Sequence, residues 1–240
     1  MTREPGLTTS AGVLRLAHPG ARWLSTGWDG GFVGADAAYN VSVPTGFDRT
    51  DLDAYIEVRR REAGFDAEGP ALLTGVEMRH ARAARSGSVT AVVTAGVSNP
   101  AALPPTGDET ATLEADVGEY DPGTVNVLLS TTRALSDGAL ASLLSTAIEA
   151  KTATLLAETG FPGTTTDAAV VGCRSAGEAA PFAGSATSTG AAARACVRDA
   201  LRASLRSRYP DGEIPKSVAD AEYGVSTDHA AEVFPVRSHE

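Results

Sequence analysis

Lysine is almost missing from this chain: of its 20 basic residues only Lys151 and Lys216 are lysines, and all the others are arginine. Thirty acidic residues leave a net charge of -10 and a pI near 4.9, which excludes a nucleic-acid partner, because phosphates call for a basic surface. An acidic, lysine-poor, alanine-rich composition suggests a salt-adapted organism with a GC-rich genome. The acidity then reads as a solvated surface that keeps the chain in solution, rather than as an acidic binding patch. No apolar run approaches the ~20 residues of a bilayer span, so no membrane partner is expected. The first ten residues lack the charged-then-apolar pattern of a secretory signal, so a cytoplasmic protein is expected. Cysteine is scarce too. Cys173 ends an expected strand and Cys196 lies on an expected helix, and with no partner motif both read as buried thiols, not a disulfide. The four histidines (His18, His80, His229 and His239) show no metal-ligand spacing. No metal site and no cofactor are expected on that basis, and metal assistance is left open. G-x-x-x-x-G-K-[ST], G-x-G-x-x-G and G-x-S-x-G are all absent, which leaves phosphate-binding loops and the common serine-hydrolase elbow without support.

What is present organises into one α+β domain over residues 1–240, with a mixed, largely antiparallel sheet and at least three helices packed on it. Residues 37–43 read as a strand, 71–80 and 87–97 as an antiparallel hairpin around a basic turn, and 51–63 as a helix capped by Thr50 or Asp51. The second half alternates: strand 124–129, helix 136–158, strand 167–173 and helix 188–207. Residues 98–122, rich in Pro, Asp, Glu and Gly, read as a surface loop. The first ten residues and the last few are expected to be mobile.

Four polar clusters set against apolar stretches carry the chemistry: Thr94–Pro100, Gly123–Asn126, Glu149–Lys151 and Gly163–Asp167. On the helix 136–158 the apolar residues Leu140, Leu143, Leu144, Ala147, Ile148 and Leu155 form one stripe. Lys151 falls on it, so this lysine either snorkels at the stripe's edge or is poised by desolvation beside a carboxylate. Glu149 points to another face, and Asp167, opening the next strand, is the natural partner. Thr164, Thr165 and Thr166 either cap a turn or supply a nucleophile or a water-positioning hydroxyl. Asn126 sits inside an apolar strand, where a buried amide needs partners. Aimed into a site, it is an oxyanion donor of a kind whose removal costs about 3–4 kcal/mol. Asn99 before Pro100 reads first as a turn former. The Gly184–Gly190 run precedes a helix and reads as ordinary capping by Ser188 or Thr189, with an anion site as the alternative. Trp28-Asp29-Gly30-Gly31 places an aromatic and an acid in one flexible corner, where a core tryptophan beside a tight turn is the default.

In order and spacing, these motifs resemble the adenosylcobinamide amidohydrolase family. The resemblance runs from Trp28–Gly31 through Asn40–Val43, Leu73–Val76, Thr94–Pro100, Gly123–Asn126, Glu149–Lys151 and Thr164–Asp167 to the Gly184–Gly190 loop, about two-thirds of the chain. It departs from the family's pattern at Pro162 and Thr165, which stand where threonine and glycine are expected, and at Ala186, which replaces a histidine. The resemblance implies hydrolysis of the amide joining an aminopropanol arm to a corrin ring, with cobalt belonging to the corrinoid substrate. That substrate is then the only partner implied, and homo-oligomerisation is left open. Two other readings stay open: an amidohydrolase acting on a smaller amide, and a non-catalytic corrinoid-binding protein. The residues assigned to catalysis are Asp167, Lys151, Asn126 and Thr166. Asn126 and Asn99 would orient the amide or the oxyanion, Asp167 would be the general base, and Lys151 its charge partner or proton donor. Asn99, Thr164, Gly123, Thr124, Trp28 and Asp29 are assigned to substrate binding.

Overall fold

The computed structural model describes residues 4–105, 124–221 and 223–236. Eight strands form one sheet: β1 (Gly6–Ser10), β2 (Val13–Ser25), β3 (Gly31–Ser42), β4 (Ala71–Thr74), β5 (Arg82–Ser86), β6 (Val89–Ala95), β8 (Val125–Ala134) and β10 (Ala168–Arg174). Their order is β4-β3-β2-β10-β8-β6-β5, with β1 alongside β2. Within this sheet β3–β4 and β8–β10 are the parallel pairs among the described residues. Three short strands make a second sheet: β7 (Pro100–Ala102), β9 (Gly163–Thr164) and β11 (Val225–Ser226), in the order β11-β7-β9. The helices are α1 (Leu52–Glu62), α2 (Asp137–Thr159) and α3 (Ser188–Arg208). The fold is α+β, as the sequence indicates.

Alternation along the strands sorts the cores. Val127 and Leu129 of β8, Ala169 and Val171 of β10, and Ala91 and Val93 of β6 point toward α2 and α3. Their neighbours Leu128, Val170 and Val92 point the other way and meet Leu16, Trp23, Ala38 and Leu72 from the β2–β4 side. For those two sets to touch, the sheet must curl along its right-handed twist until β3 comes to lie over β8. The side chains of Asn40 on β3 and Asn126 on β8 do hydrogen-bond, although β2 and β10 separate them in the sheet order. The outer face of β3 packs Ala37, Tyr39 and Val41 against Phe65 and the α1 residues Tyr55 and Ile56.

Both long helices start where the sequence places them, each with a side-chain cap. The Ser136 hydroxyl accepts from the Ala139 N–H, and α2 ends on Gly160 at φ 81°. The cap of α3 is Thr187, which accepts from the Gly190 N–H, rather than Ser188 or Thr189. Asp51 starts α1 without a side-chain cap, since its carboxylate is held by Arg49. Both cysteines are free and buried.

Three expectations change. The hairpin before β8 is β5–β6, turning at Gly87-Ser88; residues 71–74 instead run parallel to β3. Within the first ten residues, Gly6–Ser10 is a strand along β2. Within the loop expected over 98–122, Pro100–Ala102 is a strand that holds β9, and residues from 106 on lie outside the described ones.

Candidate functional site

Asp167 stands between β9 and β10, and the register that pairs Ala168 with Asn126 sets it beside the start of β8. Four donors converge on its carboxylate. Oδ1 accepts from the Val125 N–H at 2.9 Å and the Thr164 hydroxyl at 2.5 Å, and Oδ2 accepts from the Thr164 N–H at 3.1 Å. The fourth donor is the ammonium of Lys151, which forms an ion pair with Oδ2. Lys151, only 6% exposed, thus meets a carboxylate at the stripe of α2 instead of snorkelling to water. A carboxylate has about four lone-pair sites, so every one is in use and an incoming proton must displace a donor. Gly163 is part of this arrangement. A Cβ there would stand 2.8 Å from Asp167 Oδ2 and 3.3 Å from Lys151 Nζ, so no other residue fits beside the pair undisturbed.

Asp167, Thr124 and Thr166 line a cavity of about 310 Å³ together with Trp28, Thr26, Gly27, Phe47 and Leu73. The hydroxyls of Thr124 and Thr166 lie 2.8 Å apart. Among the described residues Asp167 is the one ionisable group on this lining; Lys151 supports it from behind. Gly27 also shapes the lining, where an added Cβ would be 2.5 Å from Leu72 Cδ2 and 2.9 Å from the Ala71 carbonyl.

Asn126 is fully buried next to this cavity, and its amide nitrogen is already committed. It donates to Asn40 Oδ1 at 2.9 Å and to the Leu73 carbonyl at 2.8 Å, and Asn40 in turn donates to the Thr94 hydroxyl at 2.8 Å. The oxyanion-donor role expected for Asn126 therefore has no free N–H to act with, and the residue ties β3, β4 and β8 together instead. Its Oδ1 is buried with no partner among the described residues. Asn99 also turns inward, donating to the Thr165 hydroxyl at 2.5 Å and accepting the Thr165 N–H at its carbonyl, so it clamps the turn that carries Asp167 and does not reach the cavity. Thr165, a departure from the expected glycine, is thus used as that clamp's anchor.

Trp28 lines the cavity and is half exposed, not a core tryptophan; Asp29, at φ 47°, lines only a larger neighbouring cleft. Gly123 lies outside the described residues. Glu149 is exposed and pairs with Arg194 on α3, away from Asp167. Ala186 is exposed in the loop before α3 and lines neither the cavity nor the cleft, so that loop caps a helix and is not brought to the site. Sequence reasoning missed Thr26, Gly27 and Phe47 as lining residues. It quoted Asn40 and Leu73 within motifs without giving them a role, and the position of a polar Asn40 in the apolar run around it was the available signal.

A carboxylate beside paired hydroxyls at a cavity can hold a water and take its proton. The chain belongs to the adenosylcobinamide amidohydrolase family, whose model matches residues 3–213. A protein of that description from Halobacterium salinarum is 54% identical over 229 residues, covering 95% of this chain and 97% of its own length. Another from Methanosarcina mazei is 31% identical over 196 residues, covering 77% of this chain and 90% of its own. The crystal structure of the PH0078 protein from Pyrococcus horikoshii OT3 aligns over 85% of this chain and 79% of its own, at a TM-score of 0.43 and 11% identity. The chain is thus a hydrolase acting on an amide carbon–nitrogen bond, and its acidic composition fits the halophilic relative.

Proposed function

We propose that this protein hydrolyses adenosylcobinamide at the amide joining its aminopropanol arm to the corrin ring. The products are adenosylcobyric acid and 1-amino-2-propanol, in corrinoid salvage within the cytoplasm. The observation that carries the reading is the family match across residues 3–213, which encloses every residue of the Asp167 cavity.

In this reading a water held at the Thr124 and Thr166 hydroxyls attacks the amide carbonyl. Asp167 takes the proton the water loses, one donor of its shell moving aside, and the same proton passes to the leaving nitrogen as the carbon–nitrogen bond breaks. Lys151 balances the carboxylate's charge and fixes its orientation from behind the cavity wall. Asn126, Asn40 and Asn99 act at one remove, holding the strands and the turn that place these groups.

Incubating the protein with adenosylcobinamide and following both products by mass spectrometry tests the reading. Stoichiometric release of aminopropanol is expected. Corrinoid binding without product points to a carrier, and neither binding nor product removes the corrinoid altogether.

A further inference from the structure

The cavity at Asp167 holds about 310 Å³, near the bottom of the range for small-molecule sites, and accommodates an arm rather than a macrocycle. A second, open cleft of about 950 Å³ adjoins it. The two share Trp28, and their walls are consecutive in the chain. Ser25 and Ala71 line the cleft, while Thr26, Gly27 and Leu72 line the cavity. Trp28 stands at the junction with its indole fixed, since Nε1 donates to Asp53 Oδ1 on α1 at 2.8 Å. Beyond it the cleft runs along the first half of β3. Val33 and Ile56 give it apolar walls, Gly31 and Gly34 leave gaps along the strand, and Arg22, Asp36, Glu57 and Arg60 add charge to its lining.

We propose that this cleft is the subsite for the ring of the substrate, a flat macrocycle fringed with primary carboxamides, and that Trp28 marks the point where the arm leaves the ring and enters the catalytic cavity. The inference rests on the reaction proposed above. A flat apolar face suits the gaps at Gly31 and Gly34, edged by Trp28, Val33 and Ile56. The peripheral carboxamides are N–H donors, and the cleft offers them the carboxylates of Asp29 and Glu68. The geometry also separates tasks: affinity comes from the cleft, and chemistry from the cavity next to it.

Gly34→Phe tests this. Gly34 lines the cleft and a Cβ there meets nothing within 4 Å, so the strand takes the phenyl side chain, which then competes with the substrate for the cleft. The expected result is a KM for adenosylcobinamide, and a Kd for adenosylcobyric acid read from its visible absorbance, each raised by at least about tenfold, with kcat within about twofold of wild type. Val33→Trp, at an exposed position lining the cleft alone, is expected to act in the same way and covers the case in which Gly34→Phe does not fold. Folded variants with wild-type KM and Kd that still turn over overturn the subsite and leave the reaction standing. A wild-type protein that neither binds nor converts the corrinoid overturns both.

Discussion

Two buried polar pairs, Lys151–Asp167 and His18–Ser130, differ in access: the first faces a cavity and the second does not. Lys151 and Asp167 join α2 to the turn before β10, and Asp167 lines the 310 Å³ space with Thr26, Thr124, Thr166 and Trp28. His18 and Ser130 join β2 to β8 with Nδ1 and Oγ 2.5 Å apart, a contact that on chemistry alone resembles a base and its nucleophile. His18 is nonetheless buried at the bulge of β2, edge-on to Trp23, and neither residue lines the cavity or the cleft. The contrast separates reactivity from access. A histidine–serine contact sealed in the core is a satisfied polar pair, whereas a carboxylate held by as many donors at a cavity wall lies open to a ligand.

The comparison breaks first at Asp167. Asp167→Asn keeps the shape and removes the proton acceptor, so kcat on adenosylcobinamide is expected to fall by about 10²–10⁴, the range for general acid–base groups. A folded variant with wild-type kcat removes Asp167 from the chemistry. Lys151→Met leaves the carboxylate, whose side chain is only 10% exposed, without its counter-ion. An expected cost of about 3 kcal/mol, measured by urea unfolding, would accompany the loss of activity. Gly163→Ala is the finer probe. Its Cβ presses on both members of the pair, and displacing the reacting groups by a fraction of an ångström is expected to lower kcat by about tenfold while the protein stays folded.

The pair at Asp167 could be read from the chain because it obeys a local rule. A lysine on the apolar stripe of a 3.6-residue period needs a partner, and the strand opening that follows α2 offers one carboxylate. Helix α2 and strand β10 were legible for the same reason. The N-terminal half was not. Strand β2 carries Pro19 and Gly20, which normally end a strand, but the ladder with β3 breaks between Ala17 and Ala21 and both residues fall inside the bulge. Period-two patterns also name no partner, so Leu72 and Leu73 read as half of a hairpin when they lie parallel to β3. The roles of Asn126 and Asn40 depend on the curl of the whole sheet. Nothing within ten residues of either could show that their amides meet.

The sealed pair gives smaller effects, and they fall on stability. Ser130→Ala leaves the buried His18 Nδ1 without its partner, so unfolding free energy is expected to drop by about 1–3 kcal/mol with kcat per folded molecule unchanged. A tenfold loss of kcat at unchanged stability would instead join this pair to the site and end the contrast.

The smallest effect is a pH dependence. Burial first, and the charge of Arg174 second, hold His18 below the ordinary histidine value of 6.5. The folded protein therefore favours neutral His18, and on acidification the unfolded chain takes up the proton first. The sign follows: stability is fully present above about pH 6.5 and declines as pH falls from there toward the lowered folded value, because the unfolded state binds more protons in that window. His80 is shifted in the same direction by burial and by Arg79 and Arg208, so two histidines share the slope. Urea unfolding between about pH 7.5 and 5, above the main carboxylate range, is expected to show a shallower decline for His18→Gln than for wild type, with the His80 share retained. Equal slopes in the two proteins would mean that His18 takes up its proton as readily folded as unfolded, which a histidine sealed between β2 and β8 cannot do.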